Sequence, residues 1–297
     1  MIRFIYFYTS LLFTFSGCIE KKEENLFKDN YRPSLMLPKR SNDALAGSEL
    51  ETILSSLDLR DRENYILSEI LSGNIPEFLR SFVPVTFNTQ HKDIKKTITF
   101  FVLSDYMAIG NNNDYFMIPM TPILAQKIAS SLRLSFLTKK MVDLVWGSSI
   151  LKLDPIPIPP SPEMTTIPVF GLHNRLIYQK RSANFENHKP GVLVAGHKKD
   201  VIISNRIKNE PEKVIIYGWH RINGNPIQPI YSGHAVWYVD YSHGIRLAYN
   251  ECIINKDKST ITDILNNDEY YYFFSDESGP MEITKYSTDD TNYPLTK

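Results

Sequence analysis

The sequence predicts an α+β fold: helices mainly in the first half, a mostly antiparallel sheet in the second half, and a single interlocked domain. Three observations predict it. Apolar residues recur at helical spacing in segments between residues 48 and 146, whereas β-branched and aromatic runs dominate after Pro190-Gly191. No internal repeat divides the chain.

Leu50, Ile53, Leu54 and Leu57 form an i, i+3, i+4, i+7 stripe, which predicts a short amphipathic helix. Tyr65, Ile66, Ile70 and Leu71 predict a second helix over 60–71, closed by Gly73-Asn74. Residues 75–82 read as one more helical turn before Pro84. The period then falls towards two, and 96–103, 106–109 and 115–118 read as strands, the last two separated by the Asn111-Asn112-Asn113-Asp114 turn. Thr121-Pro122 is an N-cap followed by proline at the first helical position, and Leu124, Ile128 and Leu132 give that helix one apolar face. A further helix is expected over 138–146, around Met141, Val142, Val145 and Trp146.

Prolines at 155, 157, 159, 160, 162 and 168 make an extended segment with few backbone donors, read as a surface strap anchored by Ile156 and Ile158. Helix is expected over 173–181, then strands over 192–195, 201–204, 213–219, 230–240 and 247–254, and a short helix over 262–265.

The first residues carry an address. Arg3, an apolar stretch over 4–15 and small Ser16-Gly17 lead directly into Cys18. That stretch is shorter than the ~20 residues a bilayer-spanning helix needs, and its zones are those of a cleavable export signal. Phe15-Ser16-Gly17-Cys18 resembles the lipobox of bacterial lipoproteins, with Phe15 in place of the usual leucine. The resemblance implies cleavage before Cys18, lipid on that cysteine, and a membrane as the chain's partner. Lys22-Glu23-Glu24 is similar to the acidic surface-export signal of Bacteroidota lipoproteins, which implies the outer membrane of the cell envelope. The expected organisation is a signal peptide over 1–17, a tether over 18–47 and a globular domain over 48–297.

Composition excludes several classes. The formal net charge is zero, with 33 basic and 33 acidic residues, so nothing favours nucleic acid as a partner. Hydrophobic residues make up 42 %, enough for a core and too many for a disordered chain. Cys252 is the only cysteine besides Cys18, so the core and not a disulfide framework must hold the fold. Cys252 lies in a strand-like run and reads as a buried, inert thiol.

Five of the seven histidines, His188, His197, His220, His234 and His243, fall between residues 188 and 243. Four of them sit beside a glycine or a strand end, where a rigid sheet presents its functional loops. Histidine suits both proton transfer near neutral pH and metal ligation. If 234–240 is extended, His234 and Asp240 share a face but stand about 20 Å apart at ~3.3 Å per residue, too far for one metal. Asp240 and His243 make the better local pair, because a turn can bring the carboxylate to the imidazole and orient it. Catalytic roles are therefore expected at His243, Asp240 and His220, and ligation of a metal such as zinc at His197 and His234. Trp219 and Tyr241 could stack against a sugar, with Lys199 beside them, although Lys198-Lys199 as a pair reads as a solvated turn. No G-x-S-x-G, glycine-rich phosphate loop or H-E-x-x-H occurs.

The segment Ser232-Gly233-His234 to Asp240 resembles the Ser-x-His to Asp signature of zinc-dependent peptidoglycan peptidases. Five residues separate His234 from Asp240 where that family has six, and Trp219-His220 lies upstream where its second histidine motif lies downstream, so no ligand set carries over. Residues 60–250, through PIPIPPSPEMTT, GHKKDVIIS, IYGWHR and VDYSHGIRL, resemble a family of exported bacterial proteins; the resemblance implies no particular reaction. Two functions follow from address and histidines together: a hydrolase of peptidoglycan or a related glycan or peptide, or a non-catalytic lipoprotein that binds envelope glycan or a partner protein.

Overall fold

The computed structural model describes residues 32–183, 189–291 and 293–294, so Cys18, the expected export signal and His188 lie outside the described residues. Arg32–Lys297 forms one compact unit. Residues 32–46, expected within the tether, pack on it instead. Leu35 is buried, Leu35 N–H donates to Arg80 O (2.7 Å), and Phe82 N–H donates to Pro33 O (2.9 Å). Arg80 secures the same segment by donating to Pro38 O at 2.8 Å.

The helices are α1 (Gly47–Leu54), α2 (Leu59–Leu71), α3 (Pro122–Leu132), α4 (Lys139–Ser148), α5 (Ile167–Ser182) and α6 (Ile261–Asn266). Their starts are chemically marked. Asp58, Thr121, Thr138 and Thr260 each accept a hydrogen bond from a backbone N–H in the first turn. Helix α5 begins earlier than expected because Pro168, in its first turn, needs no N–H partner there.

The larger sheet has strand order β1-β2-β12-β13, with β5 also on β12: β1 is Phe82–His91, β2 Ile94–Leu103, β5 Leu134–Phe136, β12 Leu247–Ile254 and β13 Asp257–Thr260. All of its pairings are antiparallel. Strand β1 was not expected; it begins at Phe82, where the expected helical turn over 75–82 ends. Only Glu77–Leu79 is a 3-10 turn, and the chain pairs with β2 from Phe82 onward. Pro84 is tolerated because β1 is an edge strand, where one missing N–H need not break a ladder.

The second sheet, β10-β9-β8-β11, positions the histidines. Its strands are β8 (Lys199–Val201), β9 (Ile216–His220), β10 (Pro226–Tyr231) and β11 (His243–Gly244). The strand expected over 230–240 does not form. After Tyr231 the chain turns, with Tyr238 N–H donating to Ala235 O (2.9 Å), and Val236 and Val239 are buried three residues apart. That spacing is of a turn and not of alternation, so the argument placing His234 and Asp240 on one extended face fails. Short pairs β3–β4 (Ala108–Gly110 with Tyr115–Met117) and β6–β7 (Leu151–Lys152 with Val194–Ala195) complete the strands. No helix among the described residues is long and apolar enough to cross a membrane.

Candidate functional site

Register sorts the chemistry of the second sheet. His243 is paired with Lys199 across β11 and β8, and Lys199 with Gly218 across β8 and β9. Residues directly opposite one another point to one face, so Lys199 and His243 lie on the same side. Asp200, opposite Tyr217 and Gly244, lies on the other. Glycine at 244 is a packing requirement: a Cβ there would stand 2.6 Å from the Tyr106 ring.

The Lys199 face carries the expected pair. His243 N–H donates to Asp240 O (3.1 Å), which closes a turn and leaves His243 Nε2 3.9 Å from Asp240 Oδ2. His243 is fully buried, and neither ring nitrogen has a hydrogen-bond partner among the described residues. Asp240 is well held. Ser242 N–H donates to its Oδ1 at 2.8 Å, the Ser242 hydroxyl donates to the same oxygen, and Tyr238 OH donates to Oδ2 at 3.3 Å. Burial alone would raise the Asp240 carboxyl, but His243, the Ser242 hydrogen bonds and Lys199 outweigh it and lower it. Burial pushes His243 down, with Lys199, His234 and Lys198 adding to the effect against Asp240, so the imidazole is neutral at physiological pH.

His234 lies beside this pair as an aromatic partner, not as a ligand. Its ring stacks on Tyr238 with centroids 4.1 Å apart, and the Tyr238 ring is 5.9 Å from that of His243. Lys199 Nζ sits 5.0 Å over the Trp219 ring. Trp219 holds a left-handed backbone (φ 55°) and is buried with its indole N–H unpartnered. Tyr241 clamps the proline-rich strap: its hydroxyl accepts from Ile158 N–H (2.7 Å) and donates to Ile158 O (3.0 Å). The strap is thus anchored through its backbone, with Ile156 and Ile158 only half-buried.

The other histidines do not join His243 on a shared group. His197 is buried against Asp105, with Nε2 3.1 Å from Oδ1, and Arg181 reaches the other carboxylate oxygen at 2.6 Å. Burial would raise Asp105, but His197, Arg181 and Arg246 outweigh it and hold the carboxyl below the usual range. His220 lies 3.0 Å from Asp143 Oδ1, an oxygen that also accepts from Tyr217 OH at 2.8 Å, and stacks on Trp146. Each of His197, His220 and His243 therefore faces its own aspartate. His220, expected to act with His243, thus pairs with Asp143 and not with Asp240. Among the described residues no group of three or more His, Cys, Asp or Glu side chains is placed to hold a metal ion. His197 and His234 accordingly do not form the zinc site expected of them.

Lys198 overturns the reading of Lys198-Lys199 as a solvated turn. Its side chain is fully buried, donating to Tyr241 O (2.6 Å) and to His173 Nδ1 (3.0 Å). His173 Nε2 in turn donates to Ile156 O at 3.1 Å, which fixes Nδ1 as the acceptor. Burial lowers Lys198 to about 7. Cys252 is buried in β12, and burial pushes its thiol up to about 12, the inert state expected of it.

Asp105, Asp143, Lys198 and His173 were not among the expected site residues. Asp105 lies 92 positions from His197 and Asp143 lies 77 from His220, so no local spacing could signal either pairing. No protein-family model, curated protein or solved structure matches this chain.

Proposed function

We propose that this chain is a lipid-anchored lipoprotein of the bacterial cell envelope that hydrolyses peptidoglycan or a related glycan or peptide, with His243 as acid–base group and Asp240 as its orienting carboxylate. One observation carries the reading: a fully buried imidazole with neither ring nitrogen partnered among the described residues, 3.9 Å from a carboxylate that three other groups already fix in place. Buried polar atoms are nearly always satisfied, and an unpartnered pair of nitrogens beside an orienting carboxylate suits a group that exchanges protons with water or substrate. In the proposed reaction His243 takes a proton from the attacking water and returns it to the leaving group. Asp240 steadies the imidazolium formed between the two steps.

A His243→Ala variant is expected to lose ~10²- to 10⁴-fold in turnover of isolated envelope material, the usual range for general acid–base catalysis. Asp240→Asn should lose less, because the imidazole remains. The wild-type rate should hold to a lower pH than an unperturbed histidine near 6.5 would permit, since burial favours the neutral base. Release of soluble fragments at the wild-type rate by His243→Ala would reject the assignment.

A second reading, a non-catalytic lipoprotein that binds envelope glycan or a partner, rests on a different observation. Asp240, Ser242 and His243 are all buried, while Tyr231 is exposed and His234, Trp237 and Tyr238 are half-buried beside them. Retained binding to envelope material with no fragment release by the wild type would favour this reading.

A further inference from the structure

Next to the Asp240–His243 loop is a cleft of about 200 Å³, lined by Leu59 and Arg62 of α2, Thr165, Trp237, Tyr238, Val239 and Pro294. Its one cation is unusual. Arg62 is only 8 % exposed, and among the described residues its guanidinium makes no hydrogen bond; it packs on the Phe170 ring, 5.6 Å from Cζ, and feels the charges of Glu63 and Asp58. The neighbouring carboxylate is spoken for: Glu63 accepts from Thr121 N–H (2.7 Å), from Thr121 OH (2.8 Å) and from Tyr293 OH. A guanidinium carries five N–H donors in a planar fork that fits a carboxylate two-pronged.

We propose that this cleft binds the free carboxyl terminus of a peptide, with the carboxylate on Arg62 and a small apolar terminal side chain against Leu59, Val239 and Trp237. The lining decides between sources of the carboxylate. A sugar acid would bring several hydroxyls into the cleft. Thr165 offers one side-chain hydroxyl there, and the Tyr238 hydroxyl already donates to Asp240. A peptide terminus asks for one anion partner and an apolar wall, which is what the cleft presents. Tyr238 ties the cleft to the proposed chemistry, because its ring lines the one and its hydroxyl holds Asp240 of the other.

This assignment deepens the hydrolase reading and rests on it only for the reaction. There the substrate is a peptide anchored by its terminal carboxylate. Water adds to a backbone carbonyl upstream, the C–N bond breaks, and the proton taken by His243 passes to the departing amine.

The test is calorimetric titration of the full domain with Ala-Ala-Ala as free acid, with the same peptide amidated at its carboxyl terminus, and with glucuronic acid. The free acid is expected to bind ~10- to 100-fold more tightly than the amide, the scale of a charge-assisted hydrogen-bonded pair. Arg62→Gln should erase that difference while keeping the wild-type urea midpoint, and Arg62→Lys should restore part of it. The acid–amide comparison on the wild type needs no variant, so it stands even where a substitution perturbs folding. Equal affinity for acid and amide would overturn the site. Tighter binding of glucuronic acid than of the peptide would overturn the choice of a peptide. Discrimination of acid from amide by a protein that cleaves neither peptide nor envelope material would uphold the cleft and overturn the hydrolytic reading alone.

Discussion

At the scale of single residues, the interior of this protein holds several charged side chains, Asp105, Lys198 and Arg246 among them, and handles its charges in two ways. Asp105 is neutralised by direct pairing with Arg181 and a hydrogen bond to His197. Lys198 has no carboxylate at its ammonium and donates to a carbonyl and an imidazole nitrogen, so burial favours its neutral amine. This makes a signed prediction. A lysine titrates near ~10.4 in the unfolded chain, and Lys198 near about 7 in the fold. Between those values the unfolded state binds the extra proton, so stability rises as pH rises through the window. Lys198→Met should flatten that rise, by on the order of 2 kcal/mol between pH 7 and 9, read as urea midpoints at the two pH values. The lost donor to His173 lowers stability by a pH-independent amount and leaves the slope diagnostic. A variant whose slope matches the wild type would reject the neutral buried amine. Only part of this chemistry was legible in the sequence. Asp240 and His243 could be paired because they are three residues apart in a turn, whereas Lys198 beside Lys199 looked like two solvated charges. Which of two adjacent lysines enters the core is decided by the strand's facing, and that depends on partners dozens of residues away.

At the scale of elements, helices were readable where capping chemistry and an apolar stripe coincided, as at Thr121-Pro122 and Thr138. Strands were readable where β-branched runs were continuous, as over β12, whose limits Leu247 and Ile254 match the expected ones. Two failures have physical reasons. Strand β1 was hidden by Pro84, which an edge strand tolerates. The segment 232–242 is rich in aromatic and β-branched residues, so it imitates a strand, but Ser232-Gly233 breaks the pairing and a turn follows, with Tyr238 N–H donating to Ala235 O. The hairpin between β1 and β2 supports a direct test. Its two central residues, Lys92 and Asp93, both have left-handed backbones, with φ 44° and 64°. That is the geometry of a turn that favours Asn-Gly or Asp-Gly, because glycine meets no Cβ clash there. Asp93→Gly should raise stability by ~0.5–1 kcal/mol in thermal melts. The exposed Gln90–Asp93 hydrogen bond is a small loss against this. A lower melting temperature would show that the β1–β2 turn does not hold both residues in that region.

At the scale of the whole molecule, the sequence reading put the domain boundary at residue 48, and packing puts it at Arg32. The earlier boundary looked like a tether because residues 32–46 are short of periodic apolar residues, yet that segment needs none to be ordered. Pro33 and Leu35 are buried, and the rest is held by backbone groups that take hydrogen bonds from Arg80, Phe82 and Arg40. Sequence patterns register side-chain burial and are nearly blind to a segment held through its carbonyls. Address and fold can therefore be separated by where the chain is made to start. A chain beginning at Arg32 loses Cys18 but none of these contacts. It should leave the membrane fraction when expressed with an ordinary export signal, and its urea midpoint should equal that of the full-length protein extracted in mild detergent. A chain beginning at Ser48 additionally exposes the surface that Leu35 covers and removes the Leu37 and Pro38 carbonyls to which Arg80 donates. Burying one leucine is worth about 1.5–3 kcal/mol and each hydrogen bond lost about 0.5–1.5 kcal/mol, so this chain should unfold at clearly lower urea or fail to accumulate. Equal midpoints for the two shortened chains would mean that residues 32–46 contribute nothing to the fold. Membrane retention of the chain beginning at Arg32 would mean that anchoring does not depend on Cys18.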